Sequence, residues 1–235
     1  MNFEQLKYEC WQANMSLPEQ KLVFFTFGNV SCIDREHGVF AIKPSGVEYD
    51  KLTPEDMVIV DIATGETVSG SLRPSSDTNT HLELYRKWTQ IGGIVHTHST
   101  YAAAWAQAAR PVPILGTTHA DHLPVEVPCT EFMPNDRIEN DYETETGLQI
   151  INCFERQHLL PADVPMVLVA GHGPFTWGES GTQAVYNAKV LEELCKMALF
   201  TLQIDPATTQ LKKSLIDKHY RRKHGKDAYY GQQHV

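Results

Sequence analysis

The stretch Ile91-Gly-Gly-Ile-Val-His96-Thr-His98-Ser decides how this chain is read. Its apolar, partly β-branched run predicts a buried strand that ends in a polar turn. Residues two apart on a strand point to the same face, so the imidazoles of His96 and His98 aim at one point. Neutral imidazole is the commonest protein ligand for a borderline cation such as Zn2+. A hydrogen-bonded histidine pair at a strand end explains H-x-H nearly as well, so the rest of the chain must decide. Pro165-Met-Val-Leu-Val-Ala-Gly-His172-Gly-Pro reads as a second apolar strand, ending in a histidine between glycines where the backbone can approach an ion closely. Arg73-Pro-Ser75-Ser76-Asp77-Thr is a polar turn that opens a helix and offers a carboxylate. Three histidines and one carboxylate suit Zn2+, with Mn2+, Co2+ or Fe2+ as competitors. A structural zinc would more often use thiolates, so the set reads as a catalytic metal site.

Composition bounds the rest. With 235 residues and no linker, repeat or low-complexity tract, the chain is expected to form one domain over residues 1–235. An apolar content of 42% with 21% charged residues is that of a soluble globular protein. No apolar run approaches the roughly 18–20 residues that span a bilayer, so no membrane partner is expected. The first residues lack a signal-peptide pattern, which predicts a cytoplasmic protein. Cys10, Cys32, Cys129, Cys153 and Cys195 are odd in number and never in C-x-x-C spacing, against both a disulfide framework and a thiolate zinc site. A net charge of −9 argues against nucleic-acid binding but leaves room for a small anion in a local pocket.

Along the chain, apolar spacing predicts a helix over 3–17 closed by Pro18, a strand over 22–27, and a turn at Gly28-Asn29. Further strands are predicted at 39–42, 57–62 and 67–69, the last two as a hairpin. Helices follow at 78–88, 101–108, 143–156 and 181–203, and the segment from about 217 to 235 is a charged, aromatic tail. Strands and helices are mixed, which gives an α/β protein.

Three turns share one chemistry: Gly28-Asn29, Ser45-Gly46 and Ser75-Ser76. Each offers small residues, polar donors and exposed backbone N–H groups, the makings of an anion site. Helix capping alone would explain Ser75 and Ser76. Lys43 could add a point charge to a phosphate, or be an ordinary surface lysine; Arg222 stands in the same position. No nucleotide-binding glycine motif is present.

Together, Phe27-Gly-Asn-Val-Ser, Ile42-Lys-Pro-Ser-Gly-Val, Arg73-Pro-Ser-Ser-Asp-Thr, Gly93-Ile-Val-His-Thr-His-Ser, Leu115-Gly-Thr-Thr-His-Ala-Asp, His172-Gly-Pro-Phe, Lys218-His-Tyr-Arg-Arg-Lys-His-Gly and Ala228-Tyr-Tyr-Gly-Gln resemble the L-ribulose-5-phosphate 4-epimerases. These belong to the class II aldolase/epimerase superfamily, and the resemblance runs from near the N-terminus to Gln232. It implies a central, mainly antiparallel β-sheet flanked by helices, and one divalent ion per subunit, most simply Zn2+. His96, His98 and His172 would be ligands, with Asp77 close to or in the shell. Asp121 and Tyr230 would be the two acid/base groups, Tyr230 reaching from the C-terminal tail into a neighbouring subunit's site. The phosphate would rest on Gly28, Asn29, Ser45, Gly46, Ser75 and Ser76. A homotetramer with sites at subunit interfaces is implied, acting on a small sugar phosphate.

The implied reaction inverts C4 of L-ribulose 5-phosphate by breaking and re-forming the C3–C4 bond. Three positions depart from the pattern: Phe27 where Trp is common, His122 after Asp121 where Tyr is expected, and Ala170-Gly171 before His172. Thr117, Thr118, His119, Glu143 and His219 have weaker claims, each also readable as a turn or solvated residue. The competing readings are an aldolase that releases its aldehyde, a non-catalytic sugar-phosphate binder, and a metal hydrolase.

Overall fold

Side chains alternate along the short strand that holds Phe40. A computed structural model describes residues 3–224 and residue 228. In it, Phe40 and Ile42 belong to one apolar core, Val39 and Ala41 to another. Successive side chains of a strand point to opposite faces, so each core lies on its own face of one sheet.

In chain order the elements are α1 (Glu4–Glu19), β1 (Asn29–Asp34), β2 (Val39–Ile42), β3 (Val58–Asp61), β4 (Thr67–Ser69), α2 (Thr78–Lys87), β5 (Gly93–His96), α3 (Thr100–Gln107), α4 (Thr117–Ala120), α5 (Asn135–Ile138), α6 (Tyr142–Arg156), β6 (Met166–Val169), β7 (Gly173–Gly178), α7 (Gly181–Ile204) and α8 (Lys213–Lys223). The seven strands form one sheet in the order β4-β3-β2-β1-β5-β7-β6. Every neighbouring pair is antiparallel.

This is the α/β domain with a central antiparallel sheet flanked by helices that the sequence leads one to expect. Helix α1 and the start of α7 cover one face through Cys10, Leu17, Ala184 and Ala188. Helices α2, α3 and α6 cover the other through Leu84, Trp105 and Ile150. Each Leu or Ile side chain so buried contributes roughly 1.5–3 kcal/mol. Among the described residues, no helix is long and apolar enough to cross a membrane, and all five cysteines are free.

Several elements differ from their sequence reading. The 22–27 run is not a strand: Phe24, Phe25 and Phe27 are 49%, 81% and 49% exposed. Phe25 takes the left-handed conformation (φ 55) and Gly28 follows at φ 81, so the chain turns twice before pairing begins. The strand starts at Asn29, which the sequence pattern places in a turn. Pro18 lies inside the last turn of α1, which runs on to Glu19. There it removes one i→i−4 bond and the helix ends within a residue. Strand β7 has no counterpart in the sequence reading, which ends its second apolar strand at His172; His172 sits in the β6–β7 hairpin. The charged segment to which the sequence reading gives no secondary structure begins with a helix, Lys213–Lys223.

Candidate metal centre

Strand β5 ends at His96, and His98 lies just beyond it. The two Nε2 atoms nevertheless converge to 3.1 Å. His172 completes the group, and the three candidate ligand atoms lie within 4.8 Å of one another. The carbonyl of Pro174 accepts from His96 Nδ1 at 3.0 Å, and an acceptor there fixes the neutral ring with its Nε2 lone pair aimed inward. His172 Nδ1 lies 3.1 Å from the Tyr142 hydroxyl, which leaves Nε2 as the nitrogen available to an ion. Two nitrogens held by one tetrahedral Zn2+ at about 2.0–2.1 Å would stand roughly 3.3 Å apart, close to the spacing found.

The rings are packed firmly. His96 stacks on Phe175 at 4.3 Å between centroids, and its centroid lies 4.6 Å from that of His172. Burial, reinforced by His96, pushes His172 down to about 3 and lowers His98, so both are neutral, as a ligand requires. Gly173 is needed here because a Cβ would lie 2.8 Å from the Thr97 carbonyl and 3.5 Å from the His96 ring. The donor set, its tautomers and its protonation fit a divalent ion.

Asp77 stands beside this group without joining the three-histidine cluster. Its Oδ2 accepts from Asn29 Nδ2 at 2.6 Å. Burial pushes the Asp77 carboxyl up, but the surrounding His96, His81 and His172 and the Asn29 amide outweigh it and hold it low. Burial keeps His81 and His172 neutral near pH 7, whereas the Asn29 hydrogen bond persists there.

The three candidate anion turns come together next to the histidines. Asn29 pairs with His96 across β1 and β5. Its amide also reaches Ser75 Oγ at 3.0 Å. Backbone bonds from Ser45 to Arg73 and from Ser75 to Lys43 tie the second turn to the third. Gly28 (φ 81) lets the chain pass so close that a Cβ would lie 3.0 Å from the His96 carbonyl. Ser45, Gly46 and Ser76 are exposed, Asn29 and Ser75 buried, and Asn29 Oδ1 has no hydrogen-bond partner among the described residues.

Lys43 is not a surface lysine. It is 1% exposed, donates to the Val47 carbonyl at 2.7 Å and lies 4.9 Å from the Tyr49 ring. Burial brings it down to about 8. Tyr49 in turn donates to the Gly28 carbonyl at 2.9 Å, linking the first two turns.

Asp121 falls elsewhere in the chain. It lines a cavity of about 760 Å3 with Gln90, Gly178, Tyr186 and Lys223, and none of the three histidines lines it. Gln90 and Gly178 mark the sheet end opposite His96 and Gly173. The carboxylate accepts from Arg222 Nε at 2.9 Å and Nη2 at 2.6 Å, and from His219 Nδ1 at 2.9 Å. Burial pushes it up, yet Arg222, His219 and Lys223 prevail and keep it below the usual range. The His122 ring lies 6.0 Å from that of Tyr186 between centroids. Within one chain, then, Asp121 is not brought to the histidines. Tyr230 lies outside the described residues.

The model of the class II aldolase and adducin N-terminal domain matches residues 9–199. The chain belongs to this family. Solved structures of similar shape include an L-fuculose 1-phosphate aldolase at 24% identity (TM-score 0.76, covering 93% of this chain and 95% of that one). Another is YgbL of Escherichia coli, titled a putative aldolase/epimerase/decarboxylase, at 25% identity (TM-score 0.70, covering 92% and 97%). A third is the L-fuculose-1-phosphate aldolase of Thermus thermophilus, also at 25% (TM-score 0.65, covering 88% and 100%). Family membership accords with metal-dependent aldol-type or epimerase chemistry in general.

Two residues at the centre escape the sequence reading. His81 is fully buried on α2, bonded through Nδ1 to Ser31 Oγ at 2.7 Å, with no partner for Nε2 among the described residues. Burial drives it to about 3. Its i+4 spacing from Asp77 is the available signal. Tyr142 is missed because the sequence pattern starts α6 one residue late, at Glu143.

Proposed function

We propose that this protein is a metal-dependent L-ribulose-5-phosphate 4-epimerase, giving D-xylulose 5-phosphate. The observation that carries this reading is the adjacency of the three-histidine cluster to the triple-turn cradle, joined through Asn29. His96, His98 and His172 would hold the ion, Zn2+ being the simplest choice, with Asp77 steadied beside them by Asn29. A divalent ion bound there supplies Lewis-acid stabilisation of negative charge developing on the substrate's oxygens. Gly28, Asn29, Ser45, Gly46, Ser75 and Ser76 would hold the phosphate through backbone N–H and hydroxyl donors. Lys43 shapes that cradle from beneath, and its cation adds favourable potential.

The C4 proton is not acidic, so inversion proceeds through the C3–C4 bond. A base takes the C4 hydroxyl proton and the bond's electrons move toward the C2 carbonyl. This leaves an enediolate and glycolaldehyde phosphate. The anchored phosphate keeps the aldehyde in place while it turns; attack by C3 on its other face re-forms the bond, and an acid returns the proton to the C4 oxygen. Asp121 and Tyr230 are assigned these two roles. Asp121 is bonded to α8, which leads in sequence toward Tyr230. One unit of a neighbouring copy would therefore deliver both groups, within a homotetramer whose sites lie between subunits. Asp121 is ionised at neutral pH, the form a base needs, while Arg222, His219 and Lys223, by holding its pKa below the usual range, weaken it as a base in the isolated chain.

The alternative is an aldolase that releases the aldehyde, favoured by the likeness to the fuculose-phosphate aldolases. A coupled assay on L-ribulose 5-phosphate separates the two, run on metal-loaded and chelator-stripped protein. D-xylulose 5-phosphate from the loaded sample alone supports the epimerase. Accumulating glycolaldehyde phosphate favours the aldolase, and no turnover with bound metal removes the substrate assignment.

A further inference from the structure

We propose that Tyr142 is a positioning residue of the metal centre, its hydroxyl accepting the Nδ1–H of His172 so that Nε2 stays aimed at the point where His96 and His98 converge. This rests on the reading that the three histidines hold a divalent ion.

A neutral imidazole carries one proton, and the partner on the far nitrogen decides which nitrogen is left to ligate. For His96 that partner is the Pro174 carbonyl, which can only accept. For His172 it is the Tyr142 hydroxyl at 3.1 Å, which can accept or donate. When Nε2 ligates, Nδ1 must keep the proton and the hydroxyl must accept it. His172 needs this help more than His96 does. His96 is fixed on β5 and stacked on Phe175, whereas His172 sits in the β6–β7 hairpin after Gly171 in the left-handed conformation (φ 73).

Tyr142 is well placed to fix it. It is the first residue of α6, capped by Asp141, whose carboxylate accepts from Thr144 Oγ1 at 2.7 Å. Thr146 Oγ1 donates to the Tyr142 carbonyl at 2.8 Å, and Thr80 Oγ1 on α2 to the Glu143 carbonyl at 2.7 Å. The close approach of Gly147 to α2 locks the two helices, since a Cβ there would meet Glu83 Cβ at 2.8 Å. The Tyr142 hydroxyl thus ties the α2–α6 pair to the ligand carried in the β6–β7 hairpin.

The test is Tyr142→Phe, which keeps the ring and removes the acceptor. Zn2+ affinity would be measured by chelator competition on wild type and variant, with 15N NMR of the histidine rings as a second readout. Loss of an outer partner of a ligating histidine costs about 10–100-fold in metal affinity. The expected result is a loss in that range, with a mixed His172 tautomer in the ion-free variant and an unchanged apo melting temperature. Affinity within twofold of wild type, with the Nδ1–H form intact, overturns the proposal. A wild type that binds no Zn2+ overturns the underlying metal reading, and Tyr142's role with it.

Discussion

Asp121→Asn should loosen one helix and leave the sheet untouched. Helix α8 meets the rest of the chain through a small apolar cluster, Ile216 with Ile114 and Ala120, and through the Asp121 carboxylate. That carboxylate takes both Arg222 bonds and the His219 bond; the side chains of Asp121 and Arg222 are 11% and 26% exposed. Hydrogen bonds to a charged group are worth ~1.5–3 kcal/mol each when buried, and partial exposure screens them, so about 2 kcal/mol is assigned to the whole cluster. At about 1.4 kcal/mol per decade, the local opening of α8 rises roughly 30-fold.

Native-state amide exchange reads this directly. Amides 216–223 should exchange about 30-fold faster in the variant, while those of β5 and β7 keep their rates. Unchanged protection of α8, or equal acceleration everywhere, would refute the latch. Acid should act alike. The folded pKa of Asp121 lies below its ordinary 3.8, so its contribution is present above that value and lost as pH falls through the folded one. Helix α8 stays latched down to about pH 4.

Gly173→Ala puts a methyl against the Thr97 carbonyl and the His96 ring; a cost of about 1–3 kcal/mol in urea unfolding is expected, with weakened Zn2+ binding. Mild acid should destabilise the ion-free protein through His81. Its folded pKa of about 3 lies below the ordinary 6.5, so the unfolded chain binds the extra proton. Stability falls as pH drops below 6.5, by about 1.4 kcal/mol between pH 7.5 and 5.5 from this residue alone. Urea midpoints at the two pH values check this, and no fall would contradict a buried neutral His81.

The histidine cluster was legible because a strand and a hairpin each end in a short, chemically distinct motif. The three turns were legible as chemistry, and their meeting was not, because it depends on the pairing of Asn29 with His96 and of Ser75 with Lys43. The 22–27 run misled because its aromatics suit a strand, whereas the left-handed Phe25 and Gly28 are properties of the backbone path. Val58–Val60 and Met166–Val169 are buried on both faces, so their patterns do not alternate and reveal neither orientation nor neighbour. For Lys43 the sequence left a phosphate contact and a surface charge both open, because nothing in Lys43-Pro-Ser-Gly-Val announces a carbonyl and a tyrosine ring closing over it. Asp121 carried a recognisable motif, but its separation from the histidines is set by the antiparallel sheet order.

The most direct test of the account measures bound metal and turnover of L-ribulose 5-phosphate in the same preparations of wild type, His98→Ala and His172→Ala. The account predicts one divalent ion per wild-type chain, with metal and activity lost together in both variants. Full turnover in a variant emptied of metal would contradict it.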